Sequence, residues 1–572
     1  MTARSSRAGR RARTGAAATA LVLGVVVTGC GAIPRSGPVH RHAEPSPTAT
    51  EARPTYLVDP AGPVPGAGPE QVVEGFLAAG TGVADDYSVA REYLTPELAA
   101  TWHPDARTLV HRGEPSLVPR LEDGQYRLNV EVSAVVSATG VMERKPAGST
   151  EVLDFEVVQV DGQWRIAEAP DATLLTPSDF EDIFEPHELY FADPDLSNAV
   201  VDPRWFPERT PVSTSIVRAL LNGPAAYLRG AVSTSFPTGT TLAGSAVPVQ
   251  NGTATVELSV PDFDPADIEV NRRMHEQLLR SLTQLESVDS VELVVDGAPV
   301  ELGAARGERE LADEVTVPSR QVGLVDRQLV FYQGGQTEPV PGLPALDALQ
   351  PSLPAMDAAA EHFAVVDGAD GSLVTLARGE QPAERYSGTG LTRPSFDEHG
   401  WVWTADSAGT VRAVRAPARG GEPVRVEAQW LAARTVTSLR VSRGGTRALV
   451  VTQQDGVSQL WLAGIVRDGD GTPRRLNEPY RVAADVDADV ALWLSDREFV
   501  AAPLGGTDPV RPRIYDVSGQ YEELPAVGGL TGLSAGNGPS AVYALADGTL
   551  HMLTGSAWAP QDDEVRDPAF AG

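Results

Sequence analysis

From Val315 onward the chain is almost entirely short runs of strand-favouring residues, punctuated by Gly, Pro, Asp and Asn. Candidate units open at Arg320-Gln321-Val322-Gly323-Leu324 and then near His362, Leu391, Val436, Val490 and Leu530. Their mean length of about 40 residues is the period of a four-stranded propeller blade. Four units carry a serine near the head of a strand: Ser395 in "PSFDEHGWVWTA", Ser442 in "VSRGGTRALVV", Ser495 in "LSDREFVAA" and Ser534 in "LSAGNGPSAVYAL". The serines are unevenly spaced, so the repeat is degenerate. Strand alternation places Trp401 with Trp403, and Ala448 with Val450, on one face. The expectation for residues 315–572 is an all-β, β-propeller-like domain of about six blades, or seven if a closing blade borrows an earlier strand.

A chain of 572 residues exceeds one ordinary hydrophobic core, so about three or four domains are expected. Its 55 glycines and 46 prolines favour turns and short strands over long helices. The net charge of −31 repels nucleic acid, which is therefore not an expected partner. One cysteine excludes an intramolecular disulfide framework and a cysteine-based zinc site. The nine histidines show no ligand spacing, and no Walker or dinucleotide glycine pattern occurs, so no metal or cofactor is expected.

The cysteine has its own context. Arg4, Arg7, Arg10, Arg11 and Arg13 precede an apolar run from Ala16 to Val27, the charged and hydrophobic parts of a secretory signal. The run is too short for a stable bilayer anchor. Arg10-Arg11 invites a twin-arginine reading, but Ala12, Arg13 and Thr14 lack the apolar residues such signals carry, which leaves general secretion as the default. The run ends in Val27, Thr28, Gly29 and Cys30, which resembles the lipobox of bacterial lipoproteins. The resemblance implies cleavage after residue 29 and S-diacylglycerol plus N-acyl chains on Cys30. Two or more acyl chains hold a soluble protein stably, at about 0.8 kcal/mol per buried CH₂. The signal peptide is thus expected over residues 1–29 and a Pro/Ser/Thr-rich stalk over 30–68. At about 3.1 Å per residue that stalk spans up to roughly 100 Å.

Two further regions precede the propeller. In residues 69–170, Val72, Val73, Phe76 and Leu77 form a helical stripe, and Thr95-Pro96 reads as a cap followed by a proline at the first helical position. Alternation at Tyr126, Leu128, Val130 and Val132, and Asp161-Gly162 before Trp164 and Ile166, mark antiparallel strands. Helices followed by a sheet ending in "DGQWRIAEA" resemble an NTF2-like α+β domain, whose pocket candidates would be Trp102, His103 and His111. In residues 189–311, "LYFADPDLSNAVVDPRWFP" reads as a strand with a loop. "STSIVRALLNGP" reads as a helix with Ile216, Val217, Leu220 and Leu221 inward, stopped by Gly223-Pro224. Strands around Asn251-Gly252, a helix over 270–285 and the strand in "VDSVELVVDG" complete the pattern. Leu220-Leu221-Asn222-Gly223-Pro224 and Pro237-Thr238-Gly239-Thr240 resemble a GerMN α/β domain, which implies an extracytoplasmic binding or assembly module.

Two patterns mimic chemistry. Gly532-Leu533-Ser534-Ala535-Gly536 matches a nucleophile elbow, but a turn and a strand follow where an elbow needs a helix, and Asp547 and His551 lie too near in sequence. Asp485, Asp487 and Asp489 lack the glycine and the twelfth-position glutamate of a calcium loop and read as alternate acids on an edge strand. The order lipobox, stalk, NTF2-like domain, GerMN domain and propeller, together with "VVEGFLAAGTGVADDYSVAREYLTPELAATWHP" and "LTRPSFDEHGWVWTAD", resembles the LpqB family of actinobacterial lipoproteins. The resemblance implies a non-enzymatic accessory protein, lipid-anchored on the extracytoplasmic face of the cell membrane. Its implied partner is the extracytoplasmic domain of the sensor histidine kinase MtrB of the MtrA–MtrB two-component system, which acts in envelope homeostasis and division; cell-wall contact is a further expectation. The competing reading is a carbohydrate-binding or hydrolytic envelope protein that uses the propeller's central cavity.

Overall fold

The computed structural model describes residues 60–82, 86–120, 124–208, 211–303, 310–416, 421–483, 486–562 and 564–572, with the Asp562 side chain left out. The signal peptide, Cys30 and the stalk up to residue 59 lie outside them.

The first region opens with α1 (Pro69–Ala79), which starts on a proline, carries Glu70 in its first turn, and buries Val72, Val73 and Phe76. Then come α2 (Ser88–Arg91) and α3 (Pro96–Thr101). Thr95 caps α3: its hydroxyl accepts from the Leu98 amide at 3.3 Å. Five strands and a short sixth form one sheet: β1 (Arg107–Pro119), β2 (Gln125–Ser137), β3 (Met142–Arg144), β4 (Thr150–Val160), β5 (Gln163–Glu168) and β6 (Thr173–Leu175), in the order β5-β4-β2-β1-β6 with β3 on β2. Asp161 and Gly162 both take positive φ, as the two-residue turn between β4 and β5 requires. The helices cover one face of the sheet, where Phe76 lies tilted against Trp102 and edge to face with Phe155. The sheet does not stop at residue 170, because β6 lies beyond it and pairs in parallel with β1 through Thr108↔Thr173.

Next, α4 (Pro177–Ile183) leads into β7 (Phe184–Ala192) and β8 (Ala199–Pro207). The stretch read as a strand with a loop is in fact a two-stranded ribbon, paired from Phe184↔Pro207 to Ala192↔Ala199. Pro203 and Arg204 obscured β8 in the sequence, since neither signals a buried strand. After α5 (Val212–Asn222), Gly223 at φ 85° ends the helix as expected. The second sheet comprises β9 (Thr241–Leu242), β10 (Val249–Gln250), β11 (Thr253–Ser259), β12 (Ser290–Val295) and β13 (Ala298–Pro299), in the order β10-β11-β12-β13 with β9 on β11. Strands β11 and β12 run parallel, joined through α6 (Ile268–Leu282), whose start is set by the Asp267 cap on the Val270 amide. Asn251 and Gly252 form the expected turn with positive φ.

The remainder is a ring of antiparallel sheets. Their innermost strands are Arg566–Ala569, Pro351–Met356, Ser395–Phe396, Thr435–Val441, Val490–Trp493 and Leu530–Ala535, each touching the next around an axis. The first sheet (Gln321–Val325, Gln328–Gln333, Gln336–Pro339) is completed by Arg566–Ala569 from the far end of the chain, which closes the ring. The second sheet begins at Pro351, well before His362. Pro351 and Pro354 hid its first strand, and a bulge between Ser352 and Ala355 accommodates the second proline. Asp487 and Asp489 lie between the fourth and fifth sheets and not on an edge strand, and Asp485 is outside the described residues. Asp489 is occupied by the Gln453 amide and the Leu504 backbone N–H.

The described residues form one compact unit. Leu189, Val201 and Leu228 share a continuous core with Leu449, Leu460, Phe499 and Tyr515 of the fourth and fifth sheets. Phe180, Phe184 and Trp205 join the ribbon to Val110, Val136 and Met142 of the first sheet.

Candidate functional site

The sequence candidates do not converge on a catalytic centre. Trp102 is a core residue whose indole N–H donates to the Pro170 carbonyl at 2.9 Å. His103 is exposed, and the His111 ring bonds within its own strand, to Gly113 O. Ser534 is 2% exposed and lies inside the first strand of the sixth sheet, paired by backbone with Tyr543, so it sits neither in a turn nor at an elbow. Asp547 occupies a hairpin turn, and the His551 ring is engaged with Thr549 O. Of the other blade serines, Ser395 ties two sheets together, its hydroxyl accepting from the Val441 amide, while Ser442 and Ser495 tie turns, accepting from the Arg447 amide and from those of Arg497 and Glu498. Among the described residues no group of three His, Cys, Asp or Glu side chains is placed to hold a metal ion. No helix among them is long and apolar enough to cross a membrane.

What the fold does assemble is a seam where the loop between β7 and β8 meets turns of the third and fourth sheets. Buried Asp193 accepts from the backbone amides of Ser197 and Asn198. The Asn198 side-chain amide then donates both to Asp193 (3.2 Å) and to Glu398 (3.1 Å). Burial, with the charges of Asp193, Asp496 and Asp397 nearby, pushes the Glu398 carboxyl up to about 7, against the opposing hydrogen bond from Asn198. His399 stands 3.5 Å from Asp195 and 3.9 Å from Glu398, and burial together with Arg467 lowers its pKa. The seam thus places a carboxyl group raised toward neutrality beside an imidazole. Short-range sequence patterns do not reveal it, because its members are about two hundred residues apart.

Two buried arginines stitch the regions together. Arg204 forms a two-point pair with Asp202, at 3.2 and 2.6 Å, and reaches Thr139 O of the first region and Gly223 O after α5. Arg447, from the fourth sheet, donates to Val201 O of β8 and to Asp496 O, and lies over the Trp493 ring. The axis of the ring is filled by Ala569–Gly572 and arginine side chains, and the cavity left there is about 30 Å³. A space for one water-sized body cannot take a sugar ring, so the reading of the central cavity as a carbohydrate site fails on volume.

Comparison with known proteins accounts for the order of the three parts. Family profiles match consecutively: the Lipoprotein LpqB N-terminal domain over residues 62–181, a sporulation and spore germination domain over 188–301, and the Lipoprotein LpqB beta-propeller domain over 327–571. The first GerMN domain of the sporulation protein GerM from Bacillus subtilis is 22% identical, covering 22% of this chain and 97% of that one, at a TM-score of 0.18. Lipoprotein LpqB of Thermobifida fusca is 29% identical over 530 residues, 81% of this chain and 83% of the relative. Lipoprotein LpqB of Streptomyces coelicolor is 30% identical over 518 residues, 82% of each chain. With identity of that level sustained through all three parts, the chain belongs to the Lipoprotein LpqB family.

Proposed function

We propose that this protein is an envelope lipoprotein, anchored through acyl chains on Cys30 to the extracytoplasmic face of the membrane, and that it acts as a non-enzymatic accessory of a sensor kinase. The observation that carries the anchor is the position of the chain's one cysteine, directly after Val27-Thr28-Gly29 at the end of an apolar run. Family membership supports it. The partner, an MtrB-like kinase ectodomain, comes from the family resemblance; the surface that meets it belongs to the GerMN-like or propeller region. Anchoring both proteins in one membrane raises their effective concentration, so even weak contact suffices for regulation.

Two measurements test it. Cys30→Ser should abolish labelling by a fatty-acid analogue and leave the protein uncleaved or released; unchanged labelling overturns the anchor. Residues 31–572 should bind the purified kinase ectodomain at tens of micromolar or tighter. Absence of binding, together with kinase signalling unchanged in a strain lacking the gene, overturns the accessory role.

A further inference from the structure

A cavity opens where the first region meets the second, and neither the fold nor the proposed function accounts for it. Its volume is about 190 Å³, and it lies between the turn joining β2 to β3, the end of the β7–β8 ribbon and one face of α5. Close approach of the backbone shapes it. Gly140, at φ 78°, lets the turn lie on the Phe206 ring, where an added Cβ would stand 2.8 Å away, and its carbonyl accepts from the Trp205 amide at 2.7 Å. Phe184, Trp205 and Phe206, all more than nine-tenths buried, give the cavity an apolar wall. That wall holds a donor with no acceptor, the buried indole N–H of Trp205, although a buried tryptophan N–H ordinarily finds a partner.

The rim carries one charge of each sign, from different regions. Asp105 comes from the turn before β1, and Arg218 from α5, where it shares a face with Ser215 and Asn222 at spacings of three and four. The Asp105 carboxylate accepts from the Tyr87 hydroxyl. The charges of Asp86 and Arg91 also act on it, but those two are paired with each other at 2.8 Å. Arg218 donates to the Ser245 carbonyl at 2.6 Å. Among the described residues neither Asp105 nor Arg218 has an ion-pair partner, so the two do not reach each other. Opposite charges that line one cavity without meeting are matched by a molecule that carries a cation and an anion a few bonds apart. Charge-assisted hydrogen bonds at both ends, each about twice as strong as a neutral one, favour it over an uncharged molecule of equal size. Size narrows the class. At about 30 Å³ per water the cavity holds about six waters, hence a molecule of roughly six to nine non-hydrogen atoms, which alanine, valine and leucine satisfy and a hexose exceeds. We infer that this cavity is a binding site for a zwitterionic α-amino acid with a small aliphatic side chain. Arg218 takes the carboxylate, with the Trp205 indole N–H as a second donor, Asp105 takes the ammonium group, and the side chain lies against Phe184 and Phe206. Held at one end by the first region and at the other by α5, the ligand is specific for the folded junction and stabilises it. The site needs only that junction and stands apart from the kinase reading.

The test titrates the full chain in detergent, by calorimetry, with L-alanine, L-valine, L-leucine and their D-enantiomers. At least one should bind saturably and one to one, with Kd below about 1 mM. The N-acetyl and amide derivatives of that amino acid, each lacking one charge, should bind at least about tenfold more weakly. The same loss is expected for the amino acid itself with Arg218→Gln or Asp105→Asn, both at exposed positions. It should also raise the thermal midpoint of the parent and leave those of the two variants unmoved. No saturable heat from any of these amino acids, up to about tenfold above that Kd, overturns the proposal. Binding unchanged in both variants overturns the location, and equal binding of the N-acetyl or amide form overturns the zwitterion. Should one variant fail to fold, the derivatives and the other variant still decide.

Discussion

At the scale of single residues, the consequential side chains are buried charges whose partners come from other parts of the chain. Asp202 and Arg204 are 0% and 1% exposed, and the Asp202 carboxylate also accepts from the Ala225 amide. Asp202→Ala leaves a buried guanidinium without its counter-charge, so a loss of about 3–5 kcal/mol is expected in denaturant unfolding. A change below 1 kcal/mol would show that the pair does not hold the junction. Glu398 gives a pH signature instead. Its folded-state pKa of about 7 lies above the ordinary 4.5, so the native state binds the proton more tightly than the unfolded chain does. The resulting stability is fully present below pH 4.5 and is lost as pH rises through 7. His399, lowered from 6.5, works in the opposite direction, because its stability is lost as pH falls. Comparison of Glu398→Gln with the parent separates the two. The variant should be the more stable at pH 8, with the difference shrinking toward pH 5; parallel profiles would remove Glu398 as the cause.

At the scale of elements, close approach decides what is tolerated. Gly464, in the third strand of the fourth sheet, lies under the turn Ala226–Leu228, and a Cβ there would stand 2.4 Å from Tyr227 O. The same turn is held by the Asn477 amide, which donates to Tyr227 O and Arg229 O, and by Tyr227 stacked on Tyr480 at 5.1 Å. Gly464→Ala should therefore cost about 1–3 kcal/mol by forcing the turn away from the sheet, whereas Gly456→Ala, at a turn whose added Cβ meets nothing, would bring only the strain of its positive φ. Denaturant midpoints of the two variants compare the effects directly. Elements of this kind differ in how legible they are. Asp161-Gly162, Asn251-Gly252, the Thr95 cap and the Gly223 stop are local chemistry, and each forms where the residues say it should. The strand Pro351–Met356 and strand β8 were hidden, because prolines and a buried arginine contradict strand propensity and only tertiary pairing overrides them. The cavity at the region junction left a fainter trace, since Ser215, Arg218 and Asn222 share a face of α5 whereas Asp105 comes from another region.

At the scale of the whole molecule, the three regions that the sequence separates by composition share cores in the folded chain. The apolar side chains of Leu449, Leu460 and Leu462 pack with Leu189, Val201 and Leu228, so the propeller's fourth sheet completes the core of the region before it. Removing residues 60–314 would expose that surface, and an exposed apolar face of such size favours association over solubility. The intact chain should accordingly lose secondary structure, by far-ultraviolet circular dichroism, and tertiary packing, by tryptophan fluorescence, in one coincident denaturant transition. The fluorescence reports on all parts, because Trp102 lies in the first core, Trp205 at the ribbon, and Trp403 and Trp493 in the propeller. Two separated transitions, with a propeller that outlasts the rest, would show that the shared core does not couple them. A coincident transition bears on the proposed role as well. A head that unfolds as one body is stabilised as a whole by a partner that binds only its folded state, so a partner docked on the GerMN-like region should raise the midpoints seen by both probes together, the propeller tryptophans included.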